Sequence, residues 1–159
     1  MKTRAVFVGV WVVAALALAA CSKGGEALTR AGYVAKGSAI CTKVQKSIDD
    51  GATTAFPDKG KVPTADQVAV FVKDTVKPQL RQELSQLDQL NPPKEDRSRV
   101  NDILAAGRRG LTTVDDTPVA LLEGTTNPLN DYTELSKAYG LKGCGPSGET
   151  TTRRLAGLQ

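Results

Sequence analysis

Between Thr29 and Leu141 the apolar positions recur every three or four residues, the spacing of one face of an α-helix. Tyr33, Gly37, Ile40, Cys41, Val44 and Ile48 mark the face of a first helix, with Thr29 as its N-cap and an end near Gly51. A loop is expected from Gly51 to Pro63. Thr64-Ala65-Asp66-Gln67 then has the form of a capping box, in which the threonine hydroxyl caps amides ahead of it and Gln67 reaches back to the cap residue. The second helix that starts there carries Val68, Phe71, Val72, Val76, Leu80, Leu84, Leu87 and Leu90. Their phase holds across Pro78, which predicts one long helix with a kink.

Asn91-Pro92-Pro93 stops that helix and opens the next: Asn91 can cap it, Pro92 suits its first turn, and Glu95 and Asp96 favour the positive end of its dipole. Val100, Ile103, Leu104, Gly107, Leu111 and Val114 give the third helix its stripe, and Gly107 and Gly110 permit close approach. Thr117-Pro118 and Asn127-Pro128 repeat the cap-then-proline signal, for a short helical turn ending at Gly124 and a fourth helix with Leu129, Tyr132, Leu135 and Tyr139. Gly140 reads as a left-handed C-cap, with Leu141 as its hydrophobic contact. No segment alternates as a strand. The expected fold is an all-α, small antiparallel helical bundle over residues 29–144, followed by a disordered tail, 145–159, rich in Gly, Thr and charge.

The chain ahead of the bundle follows a different rule. Lys2 and Arg4 precede an uncharged apolar run from Ala5 to Ala20, the form of an export signal spanning residues 1–20. The run falls short of the roughly 20 residues that a membrane-crossing helix needs. Its end, Leu18-Ala19-Ala20-Cys21, resembles the lipobox of bacterial lipoproteins. That resemblance implies a diacylglycerol on the Cys21 thiol, cleavage before it, and a chain tethered at the extracytoplasmic face of the cell membrane. Residues 21–28 would then be the lipidated cysteine and a short tether, reaching at most about 25 Å. Cleavage near Ala17-Leu18-Ala19 is the competing reading, and it leaves Cys21 as a loose thiol.

The chain has three cysteines, an odd number for an oxidising compartment. If Cys21 carries lipid, Cys41 and Cys144 remain to pair with each other and close the bundle with one disulfide. The alternative, a redox or nucleophilic thiol, finds no Cys-x-x-Cys and no partnering histidine. Charge narrows the partners. The full chain has 21 basic and 17 acidic residues, and losing Lys2 and Arg4 leaves 19 against 17. The basic pairs Arg108-Arg109 and Arg153-Arg154 are too few for nucleic acid. Trp11 and Phe7 leave with the signal, so Tyr33, Phe56, Phe71, Tyr132 and Tyr139 are the aromatics that remain.

Chemistry is constrained by the lack of any histidine. That removes the commonest general base, the usual activation of a serine or cysteine, and most zinc and iron ligand sets. The carboxylate pairs Asp49-Asp50 and Asp115-Asp116 sit at predicted helix ends as solvated charge. The stretch from Asp49 to Gly60 lacks calcium-loop spacing, and Lys59-Gly60-Lys61 lacks the phosphate-loop pattern. No catalytic, cofactor or metal residue is assigned. Carboxylates brought together from distant helices leave no local signature, however.

Isoleucine-cysteine in the first helix, Leu90-Asn91-Pro92-Pro93 in the hairpin turn and Tyr139-Gly140-Leu141-x-x-Cys144-Gly145 near the end resemble small, uncharacterised exported helical lipoproteins of actinobacteria. The resemblance implies lipidation, a disulfide and a helical fold, and it carries no catalytic residue across. The expected function is that of a non-enzymatic interaction or scaffold module of the cell envelope, held at the membrane through Cys21 and using a helix face near Pro78 to bind an envelope protein. The alternative is a small apolar ligand or lipid binder that opens between the first and second helices.

Overall fold

The computed structural model describes residues 26–58, 60–122 and 127–145. The expected signal, Cys21 and nearly all of the tail lie outside them. Among the described residues all regular structure is helical: α1 (Arg30–Ala55), α2 (Ala65–Phe71), a π-helical turn (Val72–Val76), α3 (Lys77–Gln89), α4 (Arg97–Asp116) and α5 (Asn130–Tyr139). Short 3-10 turns cover Lys94–Asp96 and Pro118–Leu122. The fold is the all-α bundle expected. α3 packs against both α1 and α4, and α5 lies on α4.

Local chemistry accounts for the boundaries. Thr29 accepts a hydrogen bond from the Gly32 amide at 3.1 Å and starts α1. The capping box of α2 is complete: the Gln67 amide donates to Thr64 Oγ1 at 3.3 Å, and the Thr64 amide donates to Gln67 Oε1 at 2.9 Å. α1 does not end at Gly51 but runs on to Ala55, where the Phe56 amide closes it on the Ala52 carbonyl. Gly51 is a packing position: a Cβ there would lie 2.7 Å from Thr75 Cγ2.

The long second helix is continuous, as the phase predicted, but its adjustment to Pro78 is a widened turn. The Lys77 amide reaches five residues back, to the Val72 carbonyl, just before the proline that can make no such bond and whose ring crowds the preceding turn. At the next corner Pro92 and Pro93 lie outside any helix, Pro93 with φ −56° and ψ 147°, and α4 starts only at Arg97, after the 3-10 turn. Asn91 does not cap it. Its carbonyl accepts from the Leu28 amide at 2.8 Å and its side chain faces Arg97 at 3.5 Å, so the chain ahead of α1 is held against the α3–α4 corner.

The C-terminal loop is shaped by glycine. Gly140 has φ 105°, and the Gly140 and Leu141 amides donate to the carbonyls of Lys137 and Ser136, a Schellman close to α5. Leu141 then drops into the core against Gly37, whose missing Cβ leaves room for it. Gly143, with φ 74°, turns the chain over Thr42 and Gln45 of α1 and delivers Cys144 to Cys41. These two cysteines form a disulfide with Cα atoms 4.6 Å apart and a sequence separation of 103. By loop-closure entropy such a link contributes about 4 to 5 kcal/mol.

Candidate functional site

All five aromatics of the bundle are buried, so their rings build the interior. Phe56 and Phe71 pack edge to face at one end, and Tyr33 and Tyr139 do so at the other, 5.8 Å between centroids. Each tyrosine needs a partner for its hydroxyl. Tyr33 donates to the Leu87 carbonyl at 3.3 Å. Tyr139 donates to Asp96 Oδ2 at 3.0 Å, with Arg30 stacked over the Tyr139 ring at 5.0 Å and its Nε 3.9 Å from the same carboxylate. Asp96 is therefore a buried acid with two partners, not the exposed dipole charge that its position suggests. Burial pushes the Tyr139 hydroxyl up to about 12, and the neighbouring Asp96 adds to the shift.

Tyr132 donates to Glu83 Oε1 at 2.6 Å, and this pair has the strongest chemical character in the bundle. Glu83 stands on α3 among Leu80, Leu84 and Leu87, and its side chain is fully buried. Desolvation pushes its carboxyl up to about 8, opposed by the Tyr132 hydroxyl and the Gly145 amide. The glutamic acid is consequently neutral at pH 7. The same burial, reinforced by Glu83, pushes the Tyr132 hydroxyl far above its ordinary value. Glu83 Oε2 accepts no hydrogen bond of good geometry, and neither does the buried Ser136 Oγ on α5.

The disulfide borders this pair. One carboxyl oxygen of Glu83 and the sulfurs of Cys41 and Cys144 lie within 4.8 Å of one another, all buried. With both sulfurs bonded to each other, the trio is a carboxylic acid against a disulfide and not a set of thiolate ligands for a metal. Cys41 and Cys144 stand where the sequence placed them, whereas Cys21 lies outside the described residues. Sequence reasoning missed Glu83. Its signal was positional: it falls three residues after Leu80 and four before Leu87, a polar residue inside an apolar stripe.

The surface offers a second feature. Ala69, Val70, Val72, Val114 and Pro118 line a hollow of about 320 Å³ beside the π-helical turn, with Lys73 and Lys77 at its margin. Val70 is 59% exposed there. The seam between α1 and α3, by contrast, is filled at Gly37 by Leu87 and Leu141. Of the acidic pairs, Asp50 is an exposed partner of Lys46 at 2.8 Å, and Arg108 of the basic pairs meets Asp88 at 3.2 Å. No helix among the described residues is long and apolar enough to cross a membrane. Set against known proteins, the chain matches no protein-family model, no curated protein and no solved structure.

Proposed function

We propose that the chain is a cell-envelope lipoprotein, held at the extracytoplasmic face of the cell membrane by lipid on Cys21, whose helical bundle binds an envelope partner and catalyses no reaction. The lipobox-like Leu18-Ala19-Ala20-Cys21 and the pairing of the two other cysteines support the anchor. A tether that ends at Leu28, on the bundle itself, keeps the domain close to the lipid. The observation that carries the binding role is the apolar hollow beside the π-helical turn, with exposed Val70 at its edge and Lys73 and Lys77 around it. An apolar centre with a cationic margin suits a partner of mixed apolar and acidic surface.

A photo-crosslinking side chain at Val70 tests this in intact cells, with exposed Lys36 on α1 as the control position. A single envelope protein captured from position 70 and not from position 36 is the expected result. The lipid-binding alternative draws on the same hollow, since about 320 Å³ of largely apolar space reaches the lower range of ligand pockets. Lipid captured stoichiometrically at position 70, without protein, would replace the first reading with the second.

A further inference from the structure

Glu83 is a neutral acid sealed in the core with one oxygen unpartnered, and a buried polar atom without a partner calls for a reason. Its neighbours supply one. We propose that the Cys41–Cys144 disulfide is a thiol–disulfide exchange centre, in which Glu83 gives a proton to the Cys41 sulfur on reduction and takes it back on oxidation. The co-reactant is a small dithiol or the dithiol of a redox protein. This is a stoichiometric redox event on the protein's own disulfide and turns over no separate substrate, so it goes beyond partner binding without making the bundle an enzyme, and it stands independently of the lipid anchor.

The geometry orders the steps. Cys41 is 0% exposed and Cys144 8%, the latter in the glycine-shaped loop after α5, so an incoming thiolate meets Cys144 first. Its attack forms a mixed disulfide at Cys144 Sγ and breaks the bond to Cys41, whose sulfur departs with the electron pair as a thiolate. A bare thiolate in that apolar position is costly. With Glu83 Oε1 accepting from Tyr132, the acid proton belongs on Oε2, the oxygen with no other partner. Transfer of that proton leaves a neutral Cys41 thiol and a carboxylate that the Tyr132 hydroxyl and the Gly145 amide stabilise. The second thiolate of the reductant then attacks its own sulfur in the mixed disulfide. It departs as a disulfide, two electrons having passed, and Cys144 leaves as a thiolate that water protonates. Glu83 recovers its proton from solvent while the loop is open. In the oxidising direction the carboxylate removes the Cys41 proton and so makes the nucleophile.

Among the described residues the groups facing Glu83 are few. They are Tyr132 from α5, the two sulfurs from α1 and the C-terminal loop, and the Gly145 amide, while Tyr33 of α1 acts in turn on Tyr132. The loss of the Glu83 proton should therefore be readable as one break in a pH profile.

The test is the rate at which dithiothreitol reduces the folded, full-length chain between about pH 5.5 and 9.5, divided by the thiolate concentration of the reagent. In the wild type this normalised rate is expected to be level at low pH and to fall above about pH 8, where the acid is lost. Glu83→Gln should abolish the break and slow the reaction about 100-fold at pH 7, the scale of general acid catalysis. Tyr132→Phe removes a bond that favours the charged form, so its break should move to higher pH. A purely structural Glu83 would act with the opposite sign, because ionising it loosens the core and raises the normalised rate with pH. A level or rising wild-type profile overturns the proposal, as does a wild-type break that persists in Glu83→Gln. Should that variant not fold, the wild-type and Tyr132→Phe profiles decide, and an unmoved break counts against it.

Discussion

A carboxylic acid that the fold holds neutral makes stability depend on pH, and Glu83 sets the sign. In the unfolded chain it ionises near its ordinary 4.5, whereas in the bundle it keeps its proton to about pH 8. Below 4.5 both states are protonated and the full contribution is present. Between about pH 5 and 8 only the unfolded chain gives up the proton, so stability is lost through that window and levels off above it. One such group contributes a slope of up to about 1.4 kcal/mol per pH unit. Urea unfolding at successive pH values should show this decline in the wild type and its disappearance in Glu83→Gln, while constant or rising wild-type stability would contradict the buried neutral acid. Pattern reading placed Leu80, Leu84 and Leu87 on the core face correctly but passed over Glu83 between them. A polar residue on an apolar face acquires meaning only through its partner, and Tyr132 lies 49 residues away in sequence. Leu135 shows the converse limit, since it fits the stripe of α5 yet is 40% exposed.

At the scale of elements, helix starts were more legible than helix ends. Thr29 and Thr64 act through hydroxyl-to-amide bonds within three residues, so their sequence contains the whole interaction. Gly51 looked like a stop because glycine is a poor helix former, but its role is set by Thr75 on a segment that packs against α1. The same tertiary logic makes a prediction for Gly110 on α4. A Cβ there would stand 2.5 Å from Leu129 Cδ2 and 2.6 Å from the Pro128 carbonyl oxygen, and backbone cannot step aside as a flexible side chain can. Gly110→Ala should therefore destabilise the bundle by about 1 to 3 kcal/mol through overpacking, against a helix-propensity gain of about 1 kcal/mol. Thermal unfolding measures the difference. A variant as stable as the wild type would show that α5 does not sit on α4 as closely as the structure has it.

For the whole molecule, the bundle and its disulfide were legible because both rest on strong, repeated signals: apolar spacing along every helix, proline and glycine at the corners, and two cysteines left to pair. The charged seam of Arg30, Tyr139 and Asp96 was not, since it joins α1, α5 and the turn before α4 across the fold. The disulfide also bears on where the protein works. Cys41 and Cys144 are joined, which leaves Cys21 as the odd cysteine of the three and the one that stands at the end of the apolar run from Ala5 to Ala20. Two or three acyl chains on that residue, at about 0.8 kcal/mol per buried CH₂, would hold a domain at the membrane that has no helix of its own among its described residues able to cross one. Intact-mass and peptide mass spectrometry of the protein extracted from its native membrane tests this most directly. The expected result is a mature chain that begins at Cys21 with diacylglycerol on the thiol, and the contradicting result is a chain that begins at Ala20 with Cys21 unmodified.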